Sequence, residues 1–202
     1  MPRLEPLPPD TLHVAIDMQR LFAEATVWHT PALAGIVPAV VRLCVAMPAA
    51  TAFLRFVVPE RISDAPGRWR SFYERWPDAT GERLDPAMIG LVEPLARLAG
   101  PDTVFDKPTF SMFGSPAFAA ALDARRPGAL VFSGVETDVC VLASVLGAVD
   151  LGYRCVVAAD AVASGSVEAH EAVLLHLLPR QSPLVELWAV DEITRAWALA
   201  AR

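Results

Sequence analysis

The sequence predicts an α/β protein of one domain, a Rossmann-like three-layer αβα sandwich around a six-stranded, mainly parallel sheet. Short apolar runs rich in β-branched residues alternate with longer segments of helical period, which is the pattern of repeated βα units. The runs are hydrophobic almost throughout, as is typical of strands buried on both faces. No internal repeat or low-complexity linker interrupts the 202 residues. We therefore predict a single domain over 1–202.

The predicted elements follow one another along the chain. Strands are predicted at 12–17, 51–58, 103–107, 129–135, 154–160 and 184–190. Helices are predicted at 31–47, 85–99, 115–125, 138–150 and 166–178, with a last helix from 191 to the end. Pro86 and Pro116 suit a first helical turn, where a missing N–H costs nothing, and Asp85 and Ser115 precede them as candidate N-caps.

Residues 59–84 form the most irregular part of the chain. Four aromatic residues in this insert have the spacing of one face of a short helix: Trp69, Phe72, Tyr73 and Trp76. Such a face can pack against the core or against a second subunit. It can also form a lid over the carboxyl ends of the strands, where open α/β sheets bind ligands. The sequence leaves both interpretations, lid and subunit interface, open.

Composition limits the possible partners. The formal net charge is −6 and no basic stripe is present, so we expect no nucleic acid partner. No apolar run is long enough to span a bilayer and no signal peptide is recognisable, so we expect a cytoplasmic protein without a membrane partner. A hydrophobic content of 54% favours a homodimer or homotetramer. Neither a glycine-rich dinucleotide loop nor a P-loop occurs, and no cofactor is predicted.

Three predicted strands each deliver one reactive side chain at or just after their carboxyl end. Asp17 closes the first strand, Lys107 closes the third, and Cys140 follows the fourth. In a doubly wound sheet these ends meet at one edge. Lys107 is also the only lysine among 17 basic side chains. Arginine could not replace a compact ammonium whose pKa moves readily on burial.

Cys140 has the most informative local setting of the three cysteines. With Thr137 or Asp138 as N-cap, it would lie in a first helical turn, beside unpaired N–H groups and the positive end of the helix dipole. That setting is expected to lower the pKa of a thiol, and the same N–H groups could hold an oxyanion. Cys44 and Cys155 lack this setting and are assigned to the core. Three cysteines without C-x-x-C spacing predict neither a disulfide framework nor a zinc site.

Together, a carboxylate, an ammonium and a thiol supply what covalent amide hydrolysis needs. The ammonium stabilises the thiolate, and the carboxylate accepts the thiol proton and passes it to the leaving amine. The four histidines match no metal-binding spacing, and His13 is predicted at the start of a strand, at the opposite end of the sheet. Asp160 is interpreted as a structural acid that bonds nearby backbone.

Three segments in order, AIDMQRLF, FDKPTFSMF and SGVETDVCVLASVLGAVDLGYRCVVAADAVAS, resemble the isochorismatase-like cysteine hydrolases. These include nicotinamidases, carbamoylsarcosine amidase, ureidoacrylate amidohydrolase and biuret hydrolase. The resemblance implies that Asp17, Lys107 and Cys140 are the catalytic residues. It also implies a cis peptide between Val135 and Glu136, and an oxyanion hole made by the N–H groups of Glu136 and Cys140.

Departures from the family pattern narrow the expected activity. The nicotinamidase branch carries a D-x-H metal motif after its second strand, where this chain reads VVPERIS. We therefore expect no catalytic metal and do not expect nicotinamide as substrate. Some members that hydrolyse the vinyl ether of isochorismate lack the cysteine, so Cys140 favours cleavage of a C–N bond. The expected substrate-binding residues besides Glu136 are Gln19, Trp28, Phe110, Ser111 and Phe113.

The leading hypothesis is a metal-independent cysteine amidohydrolase that cleaves a small amide, ureide or carbamoyl compound through a thioester. The first alternative is vinyl-ether hydrolysis of the isochorismatase type, driven by Asp17. The second is a non-catalytic α/β subunit in which Cys140 is an oxidisable thiol. Close approach of the three side chains beside a pocket would favour the enzyme hypotheses.

Overall fold

A computed structural model describes residues 6–200, and their side chains as far as residue 198. Within that range, six strands form one sheet in which every pair of neighbours is parallel. The strands are β1 (Leu12–Ile16), β2 (Thr51–Phe56), β3 (Val104–Lys107), β4 (Ala129–Val135), β5 (Arg154–Ala163) and β6 (Val185–Trp188). The predicted α/β class and all six predicted strands are confirmed.

The order of strands in the sheet is β3-β2-β1-β4-β5-β6. The chain therefore moves outward from β1 through β2 to β3, and then returns to the other side of β1 to build β4, β5 and β6. The direction of winding reverses between β1 and β4, which pair with Ile16 opposite Gly134. Connections diverge at such a switch point and leave a crevice beyond the carboxyl ends of the strands.

Helices cover both faces of the sheet. The α-helices in the described range are α1 (Arg20–Ala23), α2 (Leu33–Ala46), α3 (Trp69–Arg75), α4 (Leu95–Leu98), α5 (Pro116–Arg125), α6 (Leu142–Asp150), α7 (Val167–Glu171) and α8 (Val190–Ala200). One apolar core lies under α2 and α8. A second core lies under α5, α6 and the helical turns that follow α7. These two cores make the three layers of the sandwich.

The helix predicted over 85–99 is wrong. Residues 86–89 form a single 3-10 turn, capped by the Asp85 carboxylate on Ala87 N at 2.8 Å. The chain is then extended, because Leu91 forms a bridge with Gln19 and Val92 N donates to Met18 O at 3.0 Å. Only α4 follows. Pairing with the loop after β1 has overridden the local helical pattern.

The other helix predictions agree with the structure to within a few residues. Ser115 caps α5 by accepting a hydrogen bond from Phe118 N. The segment predicted at 166–178 begins as α7, continues as a wide helical turn over Ala172–Leu177 and ends in a 3-10 turn over Leu178–Gln181. Asp160 accepts a hydrogen bond from Val190 N at 2.8 Å, so it bonds the backbone at the start of α8. No helix in the described range is long and apolar enough to cross a membrane.

Candidate active site

Asp17 lies immediately after β1 in a left-handed backbone conformation, with φ of 51°. Its N–H donates to Leu54 O at 2.9 Å, and its carbonyl accepts from Gln19 N at 2.8 Å. Aspartate tolerates this conformation better than most residues, because its short polar side chain can interact locally. The side chain has no exposed surface. The sharp turn therefore directs a carboxylate into the interior at the switch point of the sheet.

Lys107 is the last residue of β3, and its ammonium reaches the same point. Nζ donates to Asp17 Oδ2 at 2.8 Å and to Thr109 O at 3.1 Å. It also lies 5.1 Å from the centre of the Phe56 ring, over its face, where the π electrons favour a cation. Neither Lys107 nor Asp17 has exposed side-chain surface. The two form a fully buried ion pair.

The end of β4 passes very close to β1. At Gly134, φ is 113°, and a Cβ added there would lie 2.0 Å from Ile16 O. No side chain fits in that space, and a positive φ of this size is readily adopted only by glycine. The next peptide, between Val135 and Glu136, is cis. This backbone carries the chain from β4 into the turn that holds Cys140.

Cys140 lies in a wide helical turn, Thr137–Val141, that leads into α6. The Glu136 carbonyl accepts hydrogen bonds from Val139 N and from Val141 N, both at 3.1 Å, but not from Cys140 N, which lies between them in the chain. Among the described residues, Glu136 N, which lies between β4 and this turn, has no hydrogen-bond acceptor. One backbone donor is thus left free where the chain enters this turn.

The predicted N-cap of this turn is wrong. Neither Thr137 nor Asp138 caps it through its side chain. Thr137 Oγ1 instead lies 2.8 Å from His170 Nδ1 on α7, and the Asp138 carboxylate accepts a hydrogen bond from the Ser164 hydroxyl. These contacts tie the turn to the segment after β5. The position of the turn is fixed by tertiary contacts, which a local pattern does not reveal.

The expected low pKa of the Cys140 thiol is also wrong. Burial raises the thiol pKa well above its ordinary value, the neighbouring Asp17 carboxylate raises it further, and Lys107 opposes both effects. Burial likewise raises the pKa of Asp17, while Lys107 lowers it. A thiolate would add a second negative charge to a buried space that holds one cation. These directions favour a neutral thiol beside the Asp17–Lys107 pair.

The Asp17 carboxylate has one oxygen to spare. Oδ2 is bonded to Lys107, whereas Oδ1 is buried and accepts no hydrogen bond from any described residue. The Cys140 thiol lies beside this carboxylate, and each group influences the pKa of the other. A buried carboxylate oxygen without a partner is costly in a purely structural role. It is, however, an available acceptor for the thiol proton.

A cavity of about 320 Å³ opens over Cys140 at the switch point. Apolar and aromatic residues dominate its walls, and Glu136 is the one acidic residue among them. Its described lining is Phe22, Val27, Trp28, His29, Phe56, Phe72, Trp76, Phe110, Glu136, Val139 and Cys140. The thiol of Cys140 is thus reachable from the cavity, although only 5% of the residue is exposed.

The aromatic insert supplies part of this wall. Phe72 of α3 and Trp76 just after it line the cavity, and the Phe72 ring lies 5.7 Å from that of Trp28. Trp69 packs on Phe110 with ring centres 4.8 Å apart. Tyr73 is buried at 2% exposure. One face of α3 therefore packs inward and borders the cavity.

The expected substrate-binding residues lie in two different settings. Trp28 and Phe110 line the cavity. Gln19 does not, and its buried amide bonds three backbone groups: it donates to Phe56 O and Ile89 O and accepts from Phe56 N. Ser111 accepts from Phe113 N at 3.3 Å, and Phe113 packs against Gly147 of α6. These last two residues also lie outside the described lining.

Sequence reasoning missed two wall residues that the fold makes prominent. Phe56 ends β2 and lies between the Lys107 ammonium and the cavity. Phe22 belongs to α1, a helix that was not predicted, and its ring stacks on Trp28 with centres 6.4 Å apart. The position of Phe56 at a strand end was a usable signal, because the other site residues were found in that way. The four residues of α1 gave no periodic pattern.

His13, Cys44 and Cys155 are absent from the described lining of the cavity. His13 is buried in β1, where its ring nitrogens lie 3.1 Å from Thr51 Oγ1 and 2.8 Å from Ser133 Oγ. Burial raises the pKa of Cys44 and of Cys155 to about 12. In the described range, no three His, Cys, Asp or Glu side chains lie together as a group that could hold a metal ion.

The doubly wound sheet and the buried acid, lysine and cysteine beneath a cavity define the class: an α/β protein with the groups of a cysteine hydrolase. The family model of the isochorismatase domain matches residues 11–187. The chain therefore belongs to the isochorismatase-like family.

Solved structures share this fold over nearly the whole chain. A cysteine hydrolase from Pseudomonas syringae pv. phaseolicola 1448A superposes with a TM-score of 0.77 at 22% identity, covering 99% of this chain and 100% of that one. N-carbamoylsarcosine amidase from Thermoplasma acidophilum gives 0.70 at 18% identity, with 91% and 98% covered. The nicotinamidase from Staphylococcus aureus gives 0.65 at 22% identity, with 88% and 98% covered. At these identities the likeness concerns the fold.

A curated relative matches a shorter stretch. An uncharacterized isochorismatase family protein from Bacillus subtilis (strain 168) is 38% identical over 71 residues. The match covers 35% of this chain and 39% of that protein. The chain thus aligns with about two fifths of the relative's length.

Proposed function

We propose that this protein is a metal-independent cysteine amidohydrolase that cleaves a C–N bond of a small amide, ureide or carbamoyl compound through a thioester. One observation carries the proposal. A fully buried carboxylate, Asp17, has one oxygen bonded to Lys107 and the other without a partner beside the Cys140 thiol. A carboxylate oxygen in this position can accept the proton of the Cys140 thiol.

The charge state of the site gives the order of events. At rest the thiol is neutral, so it does not attack unaided. Asp17 accepts the thiol proton through its free oxygen as sulfur bonds to the substrate carbonyl carbon. Negative charge leaves Asp17 at the moment when it appears on sulfur and then on the carbonyl oxygen, so the buried Lys107 never faces two anions. Such proton transfer typically contributes about 10²–10⁴ in rate.

The oxyanion of the tetrahedral intermediate needs hydrogen-bond donors close to the Cys140 sulfur. The N–H groups of Glu136 and Cys140 are the donors that we assign to it. Preorganised backbone donors are effective because they need no reorganisation when charge develops. Asp17 then returns its proton to the leaving nitrogen, the C–N bond breaks, and a thioester on Cys140 remains.

Water completes the cycle. Asp17, again a carboxylate, takes a proton from a water molecule as the water oxygen attacks the thioester carbon. Collapse of the second tetrahedral intermediate expels the Cys140 sulfur, which recovers a proton from Asp17, and the acid product leaves. The net reaction consumes one water and releases an amine or ammonia and a carboxylic or carbamic acid.

The alternative functions predict different results in one assay. Purified protein is screened over small amides, ureides and carbamoyl compounds for ammonia release, with isochorismate tested in parallel. The proposal expects turnover of an amide that is lost in Cys140→Ala. Activity on isochorismate that survives Cys140→Ser would favour the vinyl-ether reaction driven by Asp17. Inactivity on every compound, with no acylation of Cys140, would favour a non-catalytic subunit.

A further inference from the structure

We infer that the cavity selects its substrate by charge, and that it takes a carboxamide whose acyl group is apolar or aromatic and carries no negative charge. Glu136 is the specificity-determining residue that enforces this choice. The inference rests on the proposed function, because it treats Cys140 as the nucleophile at the floor of the cavity. It narrows the substrate to one part of the range of amides, ureides and carbamoyl compounds proposed above.

The walls favour an apolar group. Six aromatic rings contribute to them, and they belong to Phe22, Trp28, Phe56, Phe72, Trp76 and Phe110. Several of these rings are in edge or tilted contact with one another, such as Trp28 with Phe56 at 5.8 Å. An aromatic enclosure of about 320 Å³ suits a single ring or a short branched chain, which would gain from leaving water.

The charges around the cavity disfavour an anion. Among the described lining residues there is no arginine and no lysine, His29 is the one histidine, and Glu136 carries the one carboxylate. The nearest buried cation, Lys107, lies beneath Phe56 and is bonded to Asp17. A carboxylate on the substrate would lose its hydration among aromatic rings and meet a like charge with no lysine or arginine in the described lining to offset it.

The carboxylate of Glu136 is held in place and is not a mobile surface group. Its Oε1 accepts from Thr30 Oγ1 at 3.0 Å and from Gly165 N at 2.8 Å. The absence of a side chain at Gly165 makes room for this contact, since a Cβ there would lie 2.8 Å from Oε1. Oε2 accepts no hydrogen bond from any residue in the described range. The negative charge is therefore fixed at the wall, with one oxygen free.

Two matched pairs of amides isolate the charge. In each pair a methyl group is replaced by a carboxylate of similar size: 4-methylbenzamide with 4-carboxybenzamide, and butyramide with succinamate. The kcat/KM for ammonia release is measured for the wild type, for Glu136→Gln and for Glu171→Gln. Glu171 is an exposed carboxylate of α7 outside the described lining, so its variant controls for the loss of one charge.

We expect the wild type to prefer the uncharged member of each pair by roughly tenfold or more, as for a like charge at short range in a partly buried site. Glu136→Gln keeps a carbonyl oxygen that can accept hydrogen bonds from Thr30 and Gly165. It should shrink that preference at least about threefold, because kcat/KM for the carboxylate member rises. Glu171→Gln should leave the preference unchanged. A wild-type kcat/KM for the carboxylate members that equals or exceeds that for the uncharged members would overturn the inference while leaving amide hydrolysis intact.

A binding measurement separates this inference from the proposed function. The same four amides are titrated into Cys140→Ala and followed by ligand-observed NMR, which requires no turnover. Binding of the uncharged members alone supports the charge selection even if the wild type hydrolyses none of them. Failure of the wild type to hydrolyse any of the four amides would count against amide hydrolysis. Binding of the carboxylate members at equal affinity, or of no amide at all, would overturn the charge selection.

Discussion

Lys107 Nζ lies 2.8 Å from Asp17 Oδ2, and neither side chain has any exposed surface. The two residues are 90 positions apart in the chain and meet because β1 and β3 both end at the same edge of the sheet. Such a pair is not explained by stability alone, since burying two charges can cost more than their attraction returns. The proposed mechanism gives the pair a role beside Cys140: the negative charge can move from the Asp17 carboxylate to the thiolate without a change in the net charge of the site.

Replacing Asp17 by asparagine should separate thiol reactivity from turnover. The Asp17 charge raises the Cys140 pKa, so its removal lowers that pKa and shifts alkylation by iodoacetamide to lower pH. Turnover should nevertheless fall by about 10²–10⁴, because the base is lost. Both are measured on the same preparation. A parallel rise or parallel fall of the two rates would contradict the role given to Asp17.

Replacing Lys107 by methionine should have the opposite effect on the thiol. Lys107 lowers the pKa of Cys140, so Lys107→Met raises it, moves alkylation to higher pH and depresses activity. The variant also leaves Asp17 buried without its cation, and the free energy of unfolding should fall by about 3 kcal/mol or more.

Arg55→Met is the matched control for that variant, because it breaks an ion pair with Asp106 at 2.7 Å in which the side chains are 29% and 47% exposed. Its cost in urea unfolding should stay below about 1 kcal/mol. An unchanged pH profile of alkylation in Lys107→Met would show that the ammonium does not control the thiol.

Two glycines with positive φ test the close approach of β4 to β1. In Gly134→Ala the new Cβ would lie 2.0 Å from Ile16 O, whereas at Gly152, with φ of 82°, nothing lies within 4 Å. Gly152→Ala should cost about 1–2 kcal/mol for its backbone conformation alone. Gly134→Ala should cost several kcal/mol more or fail to fold. Equal melting temperatures for the two variants would refute the close approach.

His13 should make stability depend on pH. Burial lowers its pKa from 6.5 to about 3, so between these values the unfolded chain binds a proton that the folded protein does not. The free energy of unfolding therefore falls as pH is lowered through this window. His13 alone should contribute a loss of about 2 kcal/mol between pH 7 and pH 5.

Urea unfolding of the wild type, His13→Gln and the exposed control His176→Gln at both pH values checks this contribution. The difference between pH 7 and pH 5 should shrink in His13→Gln and persist in His176→Gln. The same pH dependence in all three proteins would be incompatible with a buried, neutral His13.

The sequence was sufficient for the sheet and for the three reactive side chains. Near-continuous apolar runs predicted all six strands, and the rule that strand ends converge brought Asp17, Lys107 and Cys140 to one edge, where the structure has them. Helix prediction failed at 85–99, where the chain is extended because Leu91 pairs with Gln19. Local periodicity contains no information about such a partner.

The pocket and its electrostatics were harder to predict. A helix start was expected to lower the Cys140 pKa, but burial and Asp17 dominate in the structure and raise it. Both effects depend on neighbours that are distant in the chain. Gln19 follows the first strand and has the polarity of a pocket residue, yet its side-chain amide forms hydrogen bonds with backbone groups. Glu136 was placed near the site by resemblance, and only its contacts reveal where its charge is fixed.

The most direct test of the central claim is to trap the covalent intermediate. Wild-type protein is mixed with an amide that it turns over, quenched in acid on the millisecond scale, and analysed by intact mass and peptide mapping. The account predicts a transient mass increase equal to the acyl group, located on Cys140, and neither adduct nor turnover in Cys140→Ala. Full turnover by Cys140→Ala, or an adduct on Cys44 or Cys155 in its place, would contradict the account.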